Sequence, residues 1–136
     1  MKNKETRLKP GLTGSAEITV ANQHTAAAMG SGHLQVLATP AMIVLMEAAA
    51  QNAVDGLLSA GQQTVGTHLD VSHHGATPVG MRVVAKAELI AIDGRILSFR
   101  IIAHDDKELI GEGSHQRTMS SVASFNRLLR KKIERP

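Results

Sequence analysis

A single carboxylate, Glu47, interrupts the apolar segment that runs from Ala41 to Val54. A carboxylate removed from water must be ion-paired, hydrogen-bonded or more easily protonated, and such groups concentrate at functional sites. The simpler alternatives are that the segment has one wet edge at this position, or that Glu47 bonds a neighbouring backbone group. Taken alone, the residue supports a functional and a structural role equally.

His73 is the second candidate for chemistry. Counting by twos from Val65 through Leu69 places His73 on the inward face of a predicted strand, while His74 points the other way. An inward histidine is by itself more often a hydrogen-bonded core residue than a base. An imidazole that faces a helix carrying the lone carboxylate Glu47 changes that balance, because such a pair can orient and tune a general base.

Three further residues each allow two interpretations. Thr39 precedes Pro40 and is predicted to be the N-cap of a helix, where its hydroxyl could also hold a water or a substrate carbonyl. Gly66, inside a strand, permits either a bulge or the close approach of a ligand. Arg117 shares a strand face with His115, which is a weak signal because exposed arginines are common.

Other kinds of site have no support in the sequence. The chain has no cysteine, which excludes disulfides, thiolate metal ligands and cysteine nucleophiles. It has seven histidines, but adjacent His73 and His74 in a strand point apart, and no metal-ligand spacing occurs. A Gly-x-Ser-x-Gly elbow and a phosphate-binding P-loop are both missing. We therefore expect neither a metal nor a cofactor.

The predicted elements form one α+β domain that spans residues 1–136. Thr39-Pro40 opens a helix that is apolar all round, so we expect it to be buried and wrapped by sheet. Asp93-Gly94 predicts a hairpin turn. Alternation predicts strands over 14–20, 64–74, 81–92, 95–104 and 108–119, and a short basic amphipathic helix over 122–133. The order is strand, helix and then a four-strand antiparallel meander, which disfavours a Rossmann-type site.

Charge is concentrated at the two ends of the chain. The net charge is +3, yet residues 1–10 carry four basic residues and one acidic residue, and residues 127–136 carry five and one. The segment between them has six basic and ten acidic residues. With only two aromatic residues, both Phe, the chain lacks the rings of a base-stacking platform. We expect a cytoplasmic protein that binds neither nucleic acid nor membrane.

Four stretches of the sequence resemble one family of enzymes. They are Leu37-Ala-Thr-Pro-Ala-Met-Ile-Val-Leu-Met-Glu47, Thr64-Val-Gly-Thr67, Ala76-Thr-Pro-Val-Gly-Met81 and Gly111-Glu-Gly-Ser-His-Gln-Arg117. Across residues 5–120 the chain resembles the fluoroacetyl-CoA thioesterase-like branch of the hotdog thioesterases. That resemblance implies the hotdog fold, in which a curved antiparallel sheet wraps around a long central helix.

The resemblance also implies acyl-CoA thioester hydrolysis by a homodimer with two sites at the subunit interface, with CoA as part of the substrate. The family's catalytic residues correspond to Thr39, Glu47 and His73, its active-site glycine to Gly66 and its substrate-binding arginine to Arg117. In this interpretation Glu47 activates water or attacks the thioester carbonyl, His73 handles the thiolate proton and Thr39 positions the water or the carbonyl. Whether two dimers form a tetramer is open.

The chain departs from the family at one informative position. Residue 33 is His, where the fluoroacetyl-specific member is expected to carry an aromatic lid. The resemblance therefore leaves open another short or medium-chain acyl group, or an aryl acid. Two alternative functions share the fold: a non-catalytic protein that binds acyl-CoA, and an enoyl-CoA hydratase. Neither Asp55 nor Asp70 has the spacing to a histidine that the hydratase would require.

Overall fold

The structure of the protein is a computed structural model that describes residues 7–136. The basic residues Lys2 and Lys4 of the predicted charged N-terminal end lie outside the described residues. The strands are β1 (Thr13–Thr19), β2 (Gln62–His73), β3 (Arg82–Asp93), β4 (Ile96–Asp105) and β5 (Leu109–Ser121). The helices are α1 (Ala26–Met29), α2 (Thr39–Val54) and α3 (Val122–Glu134). In the described part of the chain, no helix is both long and apolar enough to cross a membrane.

The five strands form one antiparallel sheet in the order β1-β3-β4-β5-β2, with the long helix α2 packed against it. The predicted α+β hotdog architecture is confirmed. The predicted four-strand meander is wrong at its first step, because β2 pairs with β5 and not with β3. The connection between β2 and β3 does not turn back tightly: Thr77 is buried within it, and its carbonyl accepts the backbone N–H of Leu37.

The inward faces of β1, β3 and β4 form the core together with α2, as the alternation predicts. The side chains involved are fully or partly buried: Ala16, Ile18, Val20, Val83, Ala85, Ala87, Leu89, Leu97, Phe99, Ile101 and Ala103. Gly14 on β1 lets the backbone of α2 approach at Ala49 and Ala53, where a Cβ on residue 14 would collide. The helix is therefore seated directly on the edge of the sheet.

Helix α2 is not buried all round, which corrects the prediction. It packs on β1, β3 and β4, but the sheet covers only one side of it, and Val44 on the other side is 61% exposed. On a helix of 3.6 residues per turn, Thr39, Ile43 and Glu47 share this side with Val44. We call the surface formed by these four residues the open flank of α2. It faces the β2–β5 end of the sheet.

Strand β2 contains a bulge between Gly66 and His68. Gly66 lies opposite Arg117 on β5, whereas Leu69 lies opposite His115. Arg117 and His115 are two residues apart and so share a face, which puts Gly66 and Leu69 on that face too.

The bulge makes the predicted face of Val65 wrong and leaves the predicted face of His73 correct. Val65 was expected to share a face with Leu69, but the extra residue in the bulge puts Val65 on the opposite face of the strand. His73 does point inward as predicted, because its ring reaches the Thr39 side chain on α2. Pattern counting succeeds for His73 since Leu69 and His73 lie on the same side of the bulge.

The two ends of the fold carry smaller corrections. At the predicted hairpin, Asp93 pairs with Ile96, so the turn residues are Gly94 and Arg95, and Gly94 has a left-handed φ of 60°. The C-terminal helix α3 begins at Val122 with a side-chain cap from Ser121. Its apolar residues are exposed and its last turn is basic, as the amphipathic pattern predicts.

Candidate active site

Arg117 is the centre of a buried polar cluster. The residue is only 4% exposed, although it carries a positive charge. Thr64 holds one side of the guanidinium: Nε donates to Thr64 Oγ1 at 2.8 Å and one terminal nitrogen donates to the Thr64 carbonyl at 3.1 Å. The other terminal nitrogen donates to Glu47 Oε2 at 3.4 Å and to His115 Nε2 at 3.1 Å. Every nitrogen of the guanidinium is therefore hydrogen-bonded within the chain.

Glu47 extends from the open flank of α2 toward this cluster. Its side chain is 31% exposed, so the wet-edge interpretation and the ion-pair interpretation both hold. The close approach depends on Gly66, since a Cβ at that position would lie 2.5 Å from Glu47 Oε2. Gly66 therefore lies beside the bulge, and the space that its missing side chain leaves open admits the Glu47 carboxylate.

His115 completes the cluster and is fully buried. Its Nδ1 lies 2.8 Å from the backbone carbonyl of His68. Burial is the main cause that lowers the pKa of His115, and the hydrogen bond to His68 opposes that shift. In the sequence, His115 is recognisable only as a neighbour of Arg117, and nothing distinguishes Thr64 as a site residue. The only signal for them was the alternation that places residues 115 and 117 on one strand face.

The charges near Arg117 are partly balanced. Burial lowers the pKa of the guanidinium, while the Glu47 and Asp55 carboxylates oppose that shift. Burial also raises the pKa of Asp55, and Arg117 acts in the opposite direction. Glu47 lies in the C-terminal half of α2 and Asp55 is its C-cap, so this half of the helix supplies the negative charge that a buried cation requires.

A second cluster joins Thr39 to His73. Thr39 Oγ1 lies 2.8 Å from His73 Nδ1. The predicted N-cap role of Thr39 is wrong: Ala38 is the N-cap without a side-chain hydrogen bond, and Thr39 is the first helical residue. The hydroxyl is consequently free of a capping role and bonds the imidazole.

His73 has one ring nitrogen without a partner. Its Nε2 is buried and makes no hydrogen bond in the described part of the chain. Burial lowers the pKa of His73, and the Gly75 backbone opposes that shift. The ring lies in a groove of about 320 Å³ that Thr39, Gly75 and Leu37 also line. A neutral imidazole with one free nitrogen in a groove is suited to accept or deliver a proton.

The two clusters do not meet within one chain. Eight residues separate Thr39 from Glu47, roughly 12 Å along the helix axis. Seven residues separate Gly66 from His73 on β2, roughly 23 Å at about 3.3 Å per residue. The structure therefore brings together Glu47, Gly66 and Arg117 in one place and Thr39 and His73 in another. A direct pair of Glu47 with His73 is not formed.

Two further features of the structure concern metal binding and the free edge of the sheet. Among the described residues, no group of three histidine, aspartate or glutamate side chains is arranged to bind a metal ion. Strand β2 pairs with β5 on one side only, so the described chain leaves its other edge without a hydrogen-bonded strand.

The sequence of the chain is similar to the sequences of known thioesterases. The profile of the family FlK, fluoroacetyl-CoA-specific thioesterase, matches residues 20–123. A fluoroacetyl-CoA thioesterase from Streptantibioticus cattleyicolor is 41% identical over 98 residues, which cover 72% of this chain and 70% of that protein.

Solved structures show the same similarity over more of the chain. A threonine-to-serine variant of the fluoroacetyl-CoA thioesterase FlK in complex with acetyl-CoA superposes with a TM-score of 0.87 at 32% identity. The match covers 92% of this chain and 98% of that one. A thioesterase superfamily member from Thermus thermophilus superposes with a TM-score of 0.86 at 25% identity, covering 93% of both chains.

Proposed function

Because the chain belongs to the FlK family of fluoroacetyl-CoA-specific thioesterases, we propose that it hydrolyses a small acyl-CoA thioester to a free acid and CoA. The observation that carries this proposal is that the open flank of α2 presents two polar groups, each with its own partner. Thr39 is bonded to His73, and Glu47 to Arg117. These are residue types that thioester hydrolysis requires: a base, a proton donor and an anion-stabilising cation.

We propose further that the complete site forms between two copies of the chain. In an antiparallel pair of β2 strands related by a two-fold axis, the Gly66 end of one strand lies beside the His73 end of the other. The partner's Glu47, next to the partner's Gly66, would then approach the free Nε2 of His73. Such a dimer would also cover the free edge of β2 and the exposed Val44.

The chemistry follows from these positions. The Glu47 carboxylate takes a proton from a water whose oxygen bonds to the thioester carbonyl carbon, or it bonds to that carbon itself and forms an anhydride that water then opens. The carbon–sulfur bond breaks as the tetrahedral intermediate collapses. The departing CoA thiolate receives its proton through His73, from the Glu47 carboxyl in the water route and from the water that opens the anhydride in the other route. Thr39 holds the imidazole in orientation. The products are the acid and CoA in either route.

Arg117 has a supporting part in this scheme. Its guanidinium donates a hydrogen bond to Glu47 Oε2 at 3.4 Å and so holds the carboxylate in place. The backbone around Gly66, which has no side chain, and the N-terminus of α2 are where the oxyanion would be stabilised. Burial of His73 lowers its pKa, which keeps the imidazole neutral near pH 7 and able to accept a proton.

The acyl group is proposed to be small, and its identity rests on the loop before α2. The relatives of known activity act on fluoroacetyl-CoA. This chain has His33 in the exposed loop where an aromatic lid was expected. We therefore propose acetyl-sized and other short acyl groups as the first substrates to test, with medium-chain and aryl thioesters included in the same panel.

The test is hydrolysis of an acyl-CoA panel, followed with a thiol reagent that detects released CoA. Glu47→Gln and His73→Ala are each expected to lower kcat at least about 100-fold, because each removes a proton-transfer group. Full activity in both variants would refute the mechanism. Thermal stabilisation by CoA esters without turnover in the wild type would instead favour the non-catalytic acyl-CoA-binding alternative.

Mixing the two variants tests the composite site. Consider a heterodimer of a Glu47→Gln chain with a His73→Ala chain. If each site takes Glu47 from one subunit and His73 from the other, one of the two sites would keep both residues and the second site would lack both. Such a heterodimer would recover up to half of the activity of the wild-type dimer. A site contained in one chain would recover none. Light scattering on the wild type supplies the control, with a mass of at least twice 14.4 kDa expected.

A further inference from the structure

We propose that His115 is a positioning residue that orients the Arg117 guanidinium and, through it, the Glu47 carboxylate. The inference rests on the proposed thioester hydrolysis and extends it to a residue that touches neither the substrate nor water. His115 is fully buried, so its contribution must pass through the groups it contacts.

The hydrogen bonds assign a single tautomer to His115. Its Nδ1 faces the His68 carbonyl at 2.8 Å, and a carbonyl oxygen only accepts, so Nδ1 carries the proton. Its Nε2 faces an Arg117 terminal nitrogen at 3.1 Å, and a guanidinium only donates, so Nε2 accepts. The ring is neutral and connects a backbone carbonyl of β2 to the guanidinium on β5.

The surroundings fix the imidazole plane. The Phe99 ring lies at a centroid distance of 6.1 Å with an interplanar angle of 31°. On the other side, a Cβ at Gly66 would be 3.2 Å from the His115 Cε1 atom, so the imidazole borders the space that Gly66 leaves open. A ring held in this way gives its Nε2 a defined direction.

That direction matters because one Arg117 nitrogen serves two acceptors. The same terminal nitrogen donates to His115 Nε2 at 3.1 Å and to Glu47 Oε2 at 3.4 Å. With one hydrogen directed to the imidazole, the second hydrogen on a planar guanidinium is aimed toward the carboxylate. Thr64 fixes the opposite side of the group. Loss of the imidazole acceptor would leave a buried donor unpaired and would remove the contact that holds the Glu47 side of the guanidinium in this plane.

Two amide substitutions separate positioning from simple packing. His115→Gln can place an amide oxygen near the former Nε2 and so keep an acceptor for Arg117, while it loses the bond to the His68 carbonyl. His115→Asn can keep a donor near the former Nδ1 but cannot reach Arg117. Both variants remove the ring and both lose stability. Phe99→Leu is the matched control, because it loosens the same buried contact without touching a hydrogen bond.

The proposal predicts that the activities of the His115 variants do not follow the order of their stabilities. His115→Gln should keep kcat within about 10-fold of the wild type, whereas His115→Asn should lose about 10–100-fold in kcat with little change in KM. In a double variant with Arg117→Lys, His115→Asn should add almost no further loss, since both changes act through one group. Equal losses in both amide variants, or losses that track the melting temperature as in Phe99→Leu, would overturn it.

A readout without substrate distinguishes this proposal from the proposed function. Nitrogen-15 NMR of the wild type is expected to show His115 protonated on Nδ1 and unprotonated on Nε2, and the Nε2 signal should shift in Arg117→Lys. A wild type that hydrolyses no acyl-CoA while showing this tautomer would refute the thioesterase proposal alone. The opposite tautomer, or a charged ring at pH 7, would refute the positioning role whatever the activity.

Discussion

Replacing Gly66 by alanine tests the link between the bulge in β2 and the chemistry. The new Cβ would lie 2.5 Å from Glu47 Oε2, where ordinary contact begins at 3.4 Å, so the carboxylate must move by about 0.9 Å. A displacement of about 1 Å in a reacting group lowers the rate roughly 100-fold. We therefore expect kcat/KM to fall about 100-fold, or about 2.7 kcal/mol in transition-state stabilisation.

The stability of Gly66→Ala should change far less than its activity. The colliding atom is at the end of a flexible side chain, and Gly66 does not have a left-handed φ. Alanine at a compatible position stabilises by about 0.4–1 kcal/mol through the unfolded chain, which offsets part of the weakened Glu47–Arg117 ion pair. Chemical denaturation should therefore give an unfolding free energy within about 1 kcal/mol of the wild type.

Two companion variants make the result decisive. Gly56→Ala is the matched control, since a Cβ there meets nothing within 4 Å. We expect wild-type activity and an unfolding free energy higher by about 0.4–1 kcal/mol. Adding Glu47→Asp to Gly66→Ala withdraws the carboxylate by one methylene group and should recover part of the loss. Wild-type kcat/KM in Gly66→Ala would refute the reasoning, because it would mean that the position of Glu47 seen here does not matter for turnover.

Two further predictions concern acid stability and the C-terminal helix. Burial lowers the pKa of both His73 and His115 below the unfolded value of 6.5, so the unfolded state binds more protons than the folded state in this pH range. The unfolding free energy should therefore fall as the pH drops from 6.5 through the lowered pKa values of the two histidines. Denaturation at pH 8 and at pH 5.5 measures this fall. A fall of the same size in His115→Gln would contradict the prediction. The basic face of α3 is expected to attract the CoA phosphates. Replacing Arg127, Arg130 and Lys131 by alanine should therefore raise KM several-fold with kcat unchanged, and the difference from the wild type should become smaller in high salt. An unchanged KM in this variant would refute that role.

The regular parts of the fold were predictable from the sequence because each depends on local pattern. Alternation predicted the positions of β3 and β4, since both strands border the core along one face. Thr39-Pro40 located the start of α2 to within a residue. Glu47 stood out because one charge in an apolar helix is a local anomaly. None of these conclusions required knowledge of which strands pair.

Long-range pairing is where prediction from the sequence failed. Nothing local indicated that β2 pairs with β5, and that pairing is what places Thr64 and His115 around Arg117. Arg117 resembled an exposed arginine because its burial depends on partners about 50 and 70 residues away in sequence, Thr64 and Glu47. Val65 was placed on the wrong face for a related reason: a bulge depends on the register between strands, which one strand's sequence does not contain.

The bulge at residue 67 also bears on how the length of β2 could vary in evolution without loss of the site. Thr67 is the one residue of β2 in the bulge that has no opposite partner on β5. Between the pairs Gly66–Arg117 and His73–Gly111, β2 advances seven positions and β5 six. Deleting that single codon would therefore restore regular alternation and keep both Gly66 and His73 on the site face. A lineage could thus lose or gain this residue and keep the Thr39–His73 contact, so related proteins are best compared by strand pairing, and not by length in this strand, before their activity is inferred.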